Sequence, residues 1–172
     1  MSTAYLSLGC NAGDCRANLA QAVGLLADDP ATEVVAVSSV YVTEPVGMKE
    51  QPDFFNIAVE LETELEPLEL LAACRSIEEA LGGRDGRVPG GPRTMDIDII
   101  LYEQVKMMHK DLALPHPRMA ERAFVMVPLA EIAPGRELVG GGTVEQRLAS
   151  LDDPHRVTRD GVLEGFPGGK SG

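Results

Sequence analysis

The chain has 172 residues, of which 44% are hydrophobic, and this suits one globular domain with a core of its own. Its 27 acidic and 15 basic side chains leave a net charge of −12, which argues against nucleic acid or an anionic membrane as a partner. No apolar run approaches the roughly 18 residues of a membrane span, and the N-terminus shows no signal-peptide pattern, so we expect a cytoplasmic protein.

Alternating and β-branched runs predict four strands, and helical spacing of apolar residues predicts two helices between them. The strands are expected at Ala4–Gly9, Glu33–Glu44, Phe54–Glu64 and Thr94–Tyr102, and the helices at Cys15–Asp28 and Pro67–Gly83. The order βαββαβ is that of the ferredoxin-like fold, an α+β arrangement in which an antiparallel sheet carries its helices on one face.

A C-terminal extension follows the fourth strand. Residues 114–134 predict a short helix and a further segment over the sheet, and a weaker helix is expected at Val144–Leu148. We assign residues 1–153 to a single domain, and we expect the Gly- and Pro-rich residues 154–172 to form a loose tail.

The three cysteines are Cys10, Cys15 and Cys74. They are odd in number and match no zinc-binding or redox-motif spacing. We therefore expect reduced thiols that are partly buried.

Two aspartates interrupt the apolar fourth strand, in the segment GPRTMDIDIILY (Gly91–Tyr102). Because residues i and i+2 of a strand point to the same side, Asp96 and Asp98 share a face. Neighbouring carboxylates repel each other unless a cation lies between them, and Mg²⁺ favours such a pair because waters and phosphate oxygens complete its coordination. The alternative is a solvated outer face, but Ile100 and Tyr102 are expected to continue this face with apolar character.

Basic side chains flank the acid pair along the sequence. They are Arg84, Arg87, Arg93, His116, Arg118 and Arg122. Phosphate bound through Mg²⁺ requires this mixture, because carboxylates hold the metal while arginines hold the oxygens that the metal does not reach. The alternative for each arginine is a surface salt bridge, and for His116, between two prolines, a structural hydrogen bond.

Three blocks of sequence together resemble the 6-hydroxymethyl-7,8-dihydropterin pyrophosphokinases of folate biosynthesis. The blocks are EPVGMKEQPDFFNIAVELET, GPRTMDIDIILY and LPHPRMAERAFVMVPLAEIAP, and the resemblance extends from about Ala4 to Pro134. It implies the ferredoxin-like fold and the transfer of the β,γ-pyrophosphoryl group of ATP to the hydroxymethyl oxygen of the pterin, leaving AMP. It also implies two Mg²⁺ ions, held by Asp96 and Asp98.

The resemblance also implies roles for residues at matching positions. Arg93 joins Asp96 and Asp98 as a catalytic residue. The positions for ATP are Glu78, Arg84, Arg87, Arg93, Ile99, His116 and Arg122. The positions for the pterin are Thr43, Glu44, Val46, Phe54, Asn56 and Phe124. Without the resemblance, Phe54 and Phe124 would be taken as core residues, whereas Asn56 in an apolar strand needs hydrogen-bond partners in any case.

The chain departs from the family pattern in the loop before the fourth strand. Gly90 stands where the family commonly has tryptophan, and Arg84 and Arg87 are displaced from the usual loop arginines. The five glycines of Gly82–Pro92 predict a loop that is more mobile than the strands when no ligand is bound.

Two other functions remain possible from the residues alone, and both assume the same fold. One is a non-catalytic module that binds a small ligand, in which Asp96 and Asp98 serve only solubility. The other is a different Mg²⁺-dependent phosphotransferase, which would bind a nucleotide but no pterin. For the pyrophosphokinase we expect a monomer.

Overall fold

The computed structural model describes residues 1–45, 50–82 and 94–168. Its strands are β1 Ser2–Cys10, β2 Thr32–Val37, β3 Tyr41–Thr43, β4 Phe54–Thr63, β5 Asp96–Tyr102, β6 Met107–Met108, β7 Ala113–Leu114 and β8 Val157–Arg159. Its helices are α1 Cys15–Asp28, α2 Pro67–Ala80, α3 Ala123–Ile132 and α4 Val144–Ala149, with a 3-10 turn at Met119–Glu121 before α3.

The main sheet is antiparallel, and its strands follow the order β5-β1-β4-β3-β8, with β2 also paired to β4. This order confirms the predicted ferredoxin-like α+β arrangement. Helices α1 and α2 pack on one face with residues such as Leu6, Leu8 and Leu19. The C-terminal extension covers part of the other face, where Met126 and Leu129 of α3 are buried. None of the helices in these ranges is long and apolar enough to cross a membrane.

The strand predicted at Glu33–Glu44 is two strands, because a buried serine interrupts the backbone ladder. The N–H of Ser38 donates to the carbonyl of Ala58 at 2.9 Å, but the N–H of Ala58 donates to the Ser38 hydroxyl at 2.8 Å. The hydroxyl thus replaces a backbone carbonyl as acceptor. β2 and β3 consequently pair with different parts of β4.

A bulge in β5 changes the face on which its last residues lie. Tyr5 pairs with Leu101 and Leu6 pairs with Ile99, so Ile100 is an additional residue on β5. Ile100 lies on the aspartate face as predicted, but the prediction for Tyr102 is wrong, because the extra residue turns its ring into the core under α1 and α2.

Residues 157–163 pack against the sheet, in contrast to the loose tail expected from residue 154. β8 pairs with β3, and the N–H of Val40 donates to the carbonyl of Gly161 at 2.7 Å. Leu163 is buried in the core. The apolar residues among the glycines and prolines therefore hold this segment in place.

A disulfide joins Cys10 to Cys15, so the expectation of reduced thiols is wrong for these two residues. The turn between β1 and α1 brings their Cα atoms to 5.4 Å, within the range that a disulfide spans. Cys74 keeps its thiol and is fully buried in the core, as expected for a small apolar side chain.

Candidate active site

The strand register places the predicted acidic and amide residues in one row across the sheet. Gly9 lies opposite Asp96 on one side and opposite Asn56 on the other, and Ser7 lies opposite Asp98. Directly opposite residues of an antiparallel pair point to the same face. The acid pair and the asparagine therefore face the same side of the sheet, opposite to α1 and α2.

A cavity of about 330 Å³ opens over this row. Eight of its lining residues were predicted from the sequence: Thr43, Glu44, Phe54, Asn56, Asp96, Asp98, Arg122 and Phe124. Six were not predicted: Ser7, Gly9, Glu121, Asp152, Asp153 and His155. The fold therefore collects both predicted groups of residues, those for the pterin and those for the metal, around one space.

Asn56 is held in a single orientation at the floor of this cavity. It is only 3% exposed, and its Nδ2 donates to the hydroxyl of Thr43 at 2.9 Å. The absence of a side chain at Gly9 makes room beside it, because a Cβ there would lie 3.0 Å from Asn56 Oδ1 and 3.9 Å from the ring of Phe54. Glycine at this position thus keeps the amide and the ring accessible.

Charge repulsion marks the acid pair. Burial, followed by the negative charges of Asp96 and Glu78, raises the pKa of Asp98 to about 6, while Arg75 and Arg122 oppose the shift. A buried carboxyl beside a second acidic side chain is suited to bind a cation, because the cation offsets both the burial of the charge and the repulsion between the two groups.

Glu78 supports β5 from beneath and does not line the cavity. Its side chain is fully buried, where Oε2 accepts the N–H of Ile97 at 2.9 Å and Oε1 accepts Nη1 of Arg75, also at 2.9 Å. Since β5 is the edge strand, this contact satisfies a backbone donor that no neighbouring strand reaches. Arg75, which the sequence did not single out, is thereby held beside the acid pair.

Two further predicted ATP residues lie near the cavity without lining it. The side chain of Ile99 is buried in the core, so that only its backbone could contact a ligand. His116 donates its N–H to the carbonyl of Ile100 at 2.9 Å, and its Nδ1 accepts the N–H of Arg118 at 3.2 Å. Burial and the charges of Arg122 and Arg118 lower the pKa of His116, so the ring is neutral near pH 7 and carries its proton on Nε2.

Four predicted residues lie outside the described ranges. They are Val46, Arg84, Arg87 and Arg93. The expected mobility of Gly82–Pro92 falls on the same part of the chain, since all but its first residue lies there.

Comparison with known proteins decides the family. The family model described as 7,8-dihydro-6-hydroxymethylpterin-pyrophosphokinase (HPPK) matches residues 5–134. The chain belongs to the HPPK family.

Two bacterial relatives are named 2-amino-4-hydroxy-6-hydroxymethyldihydropteridine pyrophosphokinase. The protein from Methylorubrum extorquens is 51% identical over 153 residues, which cover 88% of this chain and 95% of the relative. The protein from Bacillus subtilis is 50% identical over 129 residues, which cover 75% of this chain and 77% of the relative.

The fold agrees with a solved HPPK structure. The Plasmodium falciparum HPPK-DHPS crystal structure with SDX-DHP matches 87% of this chain with a TM-score of 0.66 at 14% identity. This chain spans 43% of that longer protein, so the likeness concerns the fold of one part of it.

The donor set of this HPPK-family site fits Mg²⁺ better than a metal that needs several protein ligands. In the described part of the chain, no group of three or more His, Cys, Asp or Glu side chains is placed to hold a metal ion. Asp96 and Asp98 offer hard oxygen ligands on one face of the cavity, and Mg²⁺ is commonly bound by one or two carboxylates together with waters and phosphate oxygens.

Three of the six unpredicted lining residues belong to the C-terminal segment. Asp152, Asp153 and His155 line the cavity beside Phe124 and Glu44. The only local signal was the pattern DDPH, which does not show where the segment lies in the fold. Its position depends on the pairing of β8 with β3, which joins residues far apart in sequence.

Proposed function

We propose that this chain transfers the pyrophosphoryl group of ATP to the hydroxymethyl oxygen of 6-hydroxymethyl-7,8-dihydropterin, as the family's name indicates. A bond forms between that oxygen and the β-phosphorus of ATP, the bond from the β-phosphorus to the α-phosphate oxygen breaks, and AMP leaves. The observation that carries the proposal is the row Asn56–Gly9–Asp96, which opens into one cavity together with two phenylalanines.

The pterin occupies the half of the cavity that contains Phe54, Phe124 and Asn56. A flat heterocycle with polar edges is bound by aromatic faces and a fixed set of hydrogen-bonding groups. Asn56 reads an edge of the ring, because its amide is already oriented by Thr43. Thr43, at the end of β3, and Glu44 and Val46, which follow it in the sequence, provide the other hydrogen-bonding groups for this edge of the ring.

ATP occupies the half of the cavity near Arg122. The guanidinium of Arg122 donates to phosphate oxygens and carries a positive charge, and the neutral His116 donates through its Nε2–H, which its tautomer keeps available. Ile99 contributes through its backbone, and Glu78 contributes by holding Arg75 beside the acid pair. Arg84, Arg87 and Arg93 supply the remaining cations, as the resemblance to the family implies.

Asp96 and Asp98 hold two Mg²⁺ ions in this proposal. Bound by these two carboxylates, the ions would supply positive charge that offsets the negative charge of the triphosphate. The side chains around the cavity then serve to bring the acceptor oxygen and the β-phosphorus into contact, and such positioning supplies much of the rate in phosphoryl transfer. We further propose that the protein acts in the cytoplasm as a monomer.

Calorimetry with a non-hydrolysable ATP analogue tests this assignment. We expect the analogue to bind only with Mg²⁺, and the pterin to bind more tightly once the analogue is present. Binding of the analogue without any effect of Mg²⁺ would contradict the metal assignment. Binding of the analogue without binding of the pterin would instead indicate another phosphotransferase.

Replacing Asn56 by alanine should weaken pterin binding about 30- to 100-fold, because a buried ring edge loses its hydrogen-bond partner, while affinity for the ATP analogue stays near that of the wild type. Asn18→Ala is the matched control, since the Nδ2 of Asn18 also donates a hydrogen bond, to the carbonyl of Ala12, but Asn18 does not line the cavity. Equal loss of both ligands on Asn56→Ala would show that this asparagine is structural.

A further inference from the structure

The segment after α4 connects two walls of the cavity. At one end, Asp153 Oδ2 accepts the N–H of Ala123 at 2.8 Å. At the other end, the N–H of Arg156 donates to Glu44 Oε1 at 3.2 Å, and Val157 pairs with Thr43. This segment therefore ties the beginning of α3 to the end of β3.

The contact with Ala123 replaces a helix cap that the local sequence does not provide. Arg122 occupies the N-cap position of α3, and its side chain makes no capping hydrogen bond. The first N–H groups of a helix need acceptors, and a carboxylate is favoured there by the helix dipole. Asp153 supplies this acceptor from 30 residues further along the chain.

The carboxylate of Asp153 is itself held in place. Its Oδ1 accepts the N–H of His155 at 2.9 Å and lies 2.6 Å from His155 Nδ1. Although burial opposes ionisation, the hydrogen bonds from Ala123 and His155 outweigh it and lower the pKa of Asp153. The group is thus ionised throughout the neutral pH range, and its contact with α3 persists there.

Ala123 lies between two cavity residues, Arg122 and Phe124. The phenylalanine ring has only two rotatable side-chain bonds, so its position follows the backbone of the first turn of α3. The longer side chain of Arg122 adjusts more easily to a small backbone shift. A displacement of this turn therefore changes the position of the Phe124 ring more than that of the Arg122 guanidinium.

We propose that Asp153 is a positioning residue for the acceptor: by holding the N–H of Ala123, it sets the place of the Phe124 ring against which the flat substrate packs. The inference rests on the proposed function and adds to it a residue outside the family match, which ends at residue 134. Asp153 acts through Phe124 and does not take part in bond making.

The test is a double-mutant cycle between Asp153→Ala and Phe124→Leu, measured as pterin affinity in the presence of Mg²⁺ and the ATP analogue. Asp153→Ala alone should weaken pterin binding about tenfold, the order of effect of a lost helix cap, and analogue binding by less than about threefold. In the Phe124→Leu background, the same change should weaken pterin binding by less than about twofold.

Two further variants make the result decisive. Asp153→Asn keeps an oxygen acceptor for Ala123 and should recover most of the affinity. If Asp153→Ala does not fold, Asp153→Ser serves as the test variant, because its hydroxyl is one bond shorter than the carboxylate that accepts the N–H of Ala123, and it should weaken pterin binding like Asp153→Ala. Asp111→Asn is the control, because Asp111 also lies beside a histidine, His109, but on the exposed hairpin of β6 and β7. We expect no change in that variant.

The outcomes separate the inference from the proposed function. If the wild type binds the pterin and Asp153→Ala binds it equally well, or if the loss is the same with and without Phe124, the positioning role is wrong and the proposed function stands. If the wild type binds no pterin under any condition, the proposed function fails first.

Discussion

Asp98→Asn is expected to lower the rate of pyrophosphoryl transfer about 10²- to 10³-fold, because it removes a charged ligand of the metal that would stabilise negative charge on the triphosphate. Asparagine has nearly the same shape, so the fold should persist. Steady-state rates at saturating Mg²⁺, with circular dichroism to verify the fold, measure this effect. A rate within about threefold of the wild type would exclude Asp98 as a metal ligand.

The same substitution should make the metal-free protein more stable at pH 7. The pKa of Asp98 is raised to about 6 in the folded chain, against about 4 when unfolded, so the folded state holds this proton more tightly. The stabilising contribution of the protonated form is complete below pH 4 and is lost as the pH rises towards 6. At pH 7 asparagine avoids this loss. We expect the free energy of unfolding to rise by about 1–2 kcal/mol, which corresponds to about 2–6 °C in melting temperature.

The pH dependence is the internal control for that gain. Below about pH 4 the wild-type carboxyl is mostly protonated in both the folded and the unfolded state, and the difference in melting temperature between the two proteins should nearly vanish. Mg²⁺ should raise the melting temperature of the wild type at pH 7 and leave that of Asp98→Asn almost unchanged. A stabilisation that is independent of pH would show that repulsion at Asp98 is not its cause.

Gly9→Val should abolish measurable pterin binding, with a loss of at least about 100-fold. Gly9 lies in an extended strand that readily accepts valine, but even a Cβ there would lie 3.0 Å from Asn56 Oδ1, and the two methyl groups would enter the acceptor half of the cavity. Titration of the pterin, followed by its fluorescence in the presence of the ATP analogue, measures this loss.

Gly24→Ala is the matched control for this substitution. In the described part of the chain, no atom outside the adjoining residues and backbone of α1 lies within 4 Å of a Cβ built at Gly24. The residue is in the middle of α1, where alanine should stabilise the helix by about 0.5–1 kcal/mol without affecting binding. If Gly9→Val bound the pterin as tightly as the wild type, the acceptor would have to lie elsewhere than over the row Asn56–Gly9–Asp96.

Local periodicity was sufficient to predict the order of the elements and the shared face of the acid pair. Because side chains alternate along a strand, Asp96 and Asp98 must point to the same face. The side chains of β5 keep this alternation up to the bulge. It could not predict the position of Tyr102, because the bulge arises from the register against β1. Nor could it predict the break at Ser38, where a side-chain hydroxyl takes part in the ladder.

The residues of the site that escaped prediction are those placed by long-range contacts. Gly9 matters because of the amide on the neighbouring strand, and Arg75 because Glu78, which holds it, also accepts the N–H of Ile97 on β5. Asp153 follows a short helix and directly precedes the residues that were expected to form a loose tail. Its role depends on the pairing of β8 and on the N–H of Ala123, neither of which a local pattern can indicate.

The most direct test of the account is to incubate the protein with ATP and 6-hydroxymethyl-7,8-dihydropterin and to quantify the nucleotide and pterin products. The account predicts that AMP and the pterin diphosphate form in equal amounts, and only when both the pterin and Mg²⁺ are present. Formation of ADP or inorganic phosphate in place of AMP, or formation of AMP at the same rate without the pterin, would contradict it.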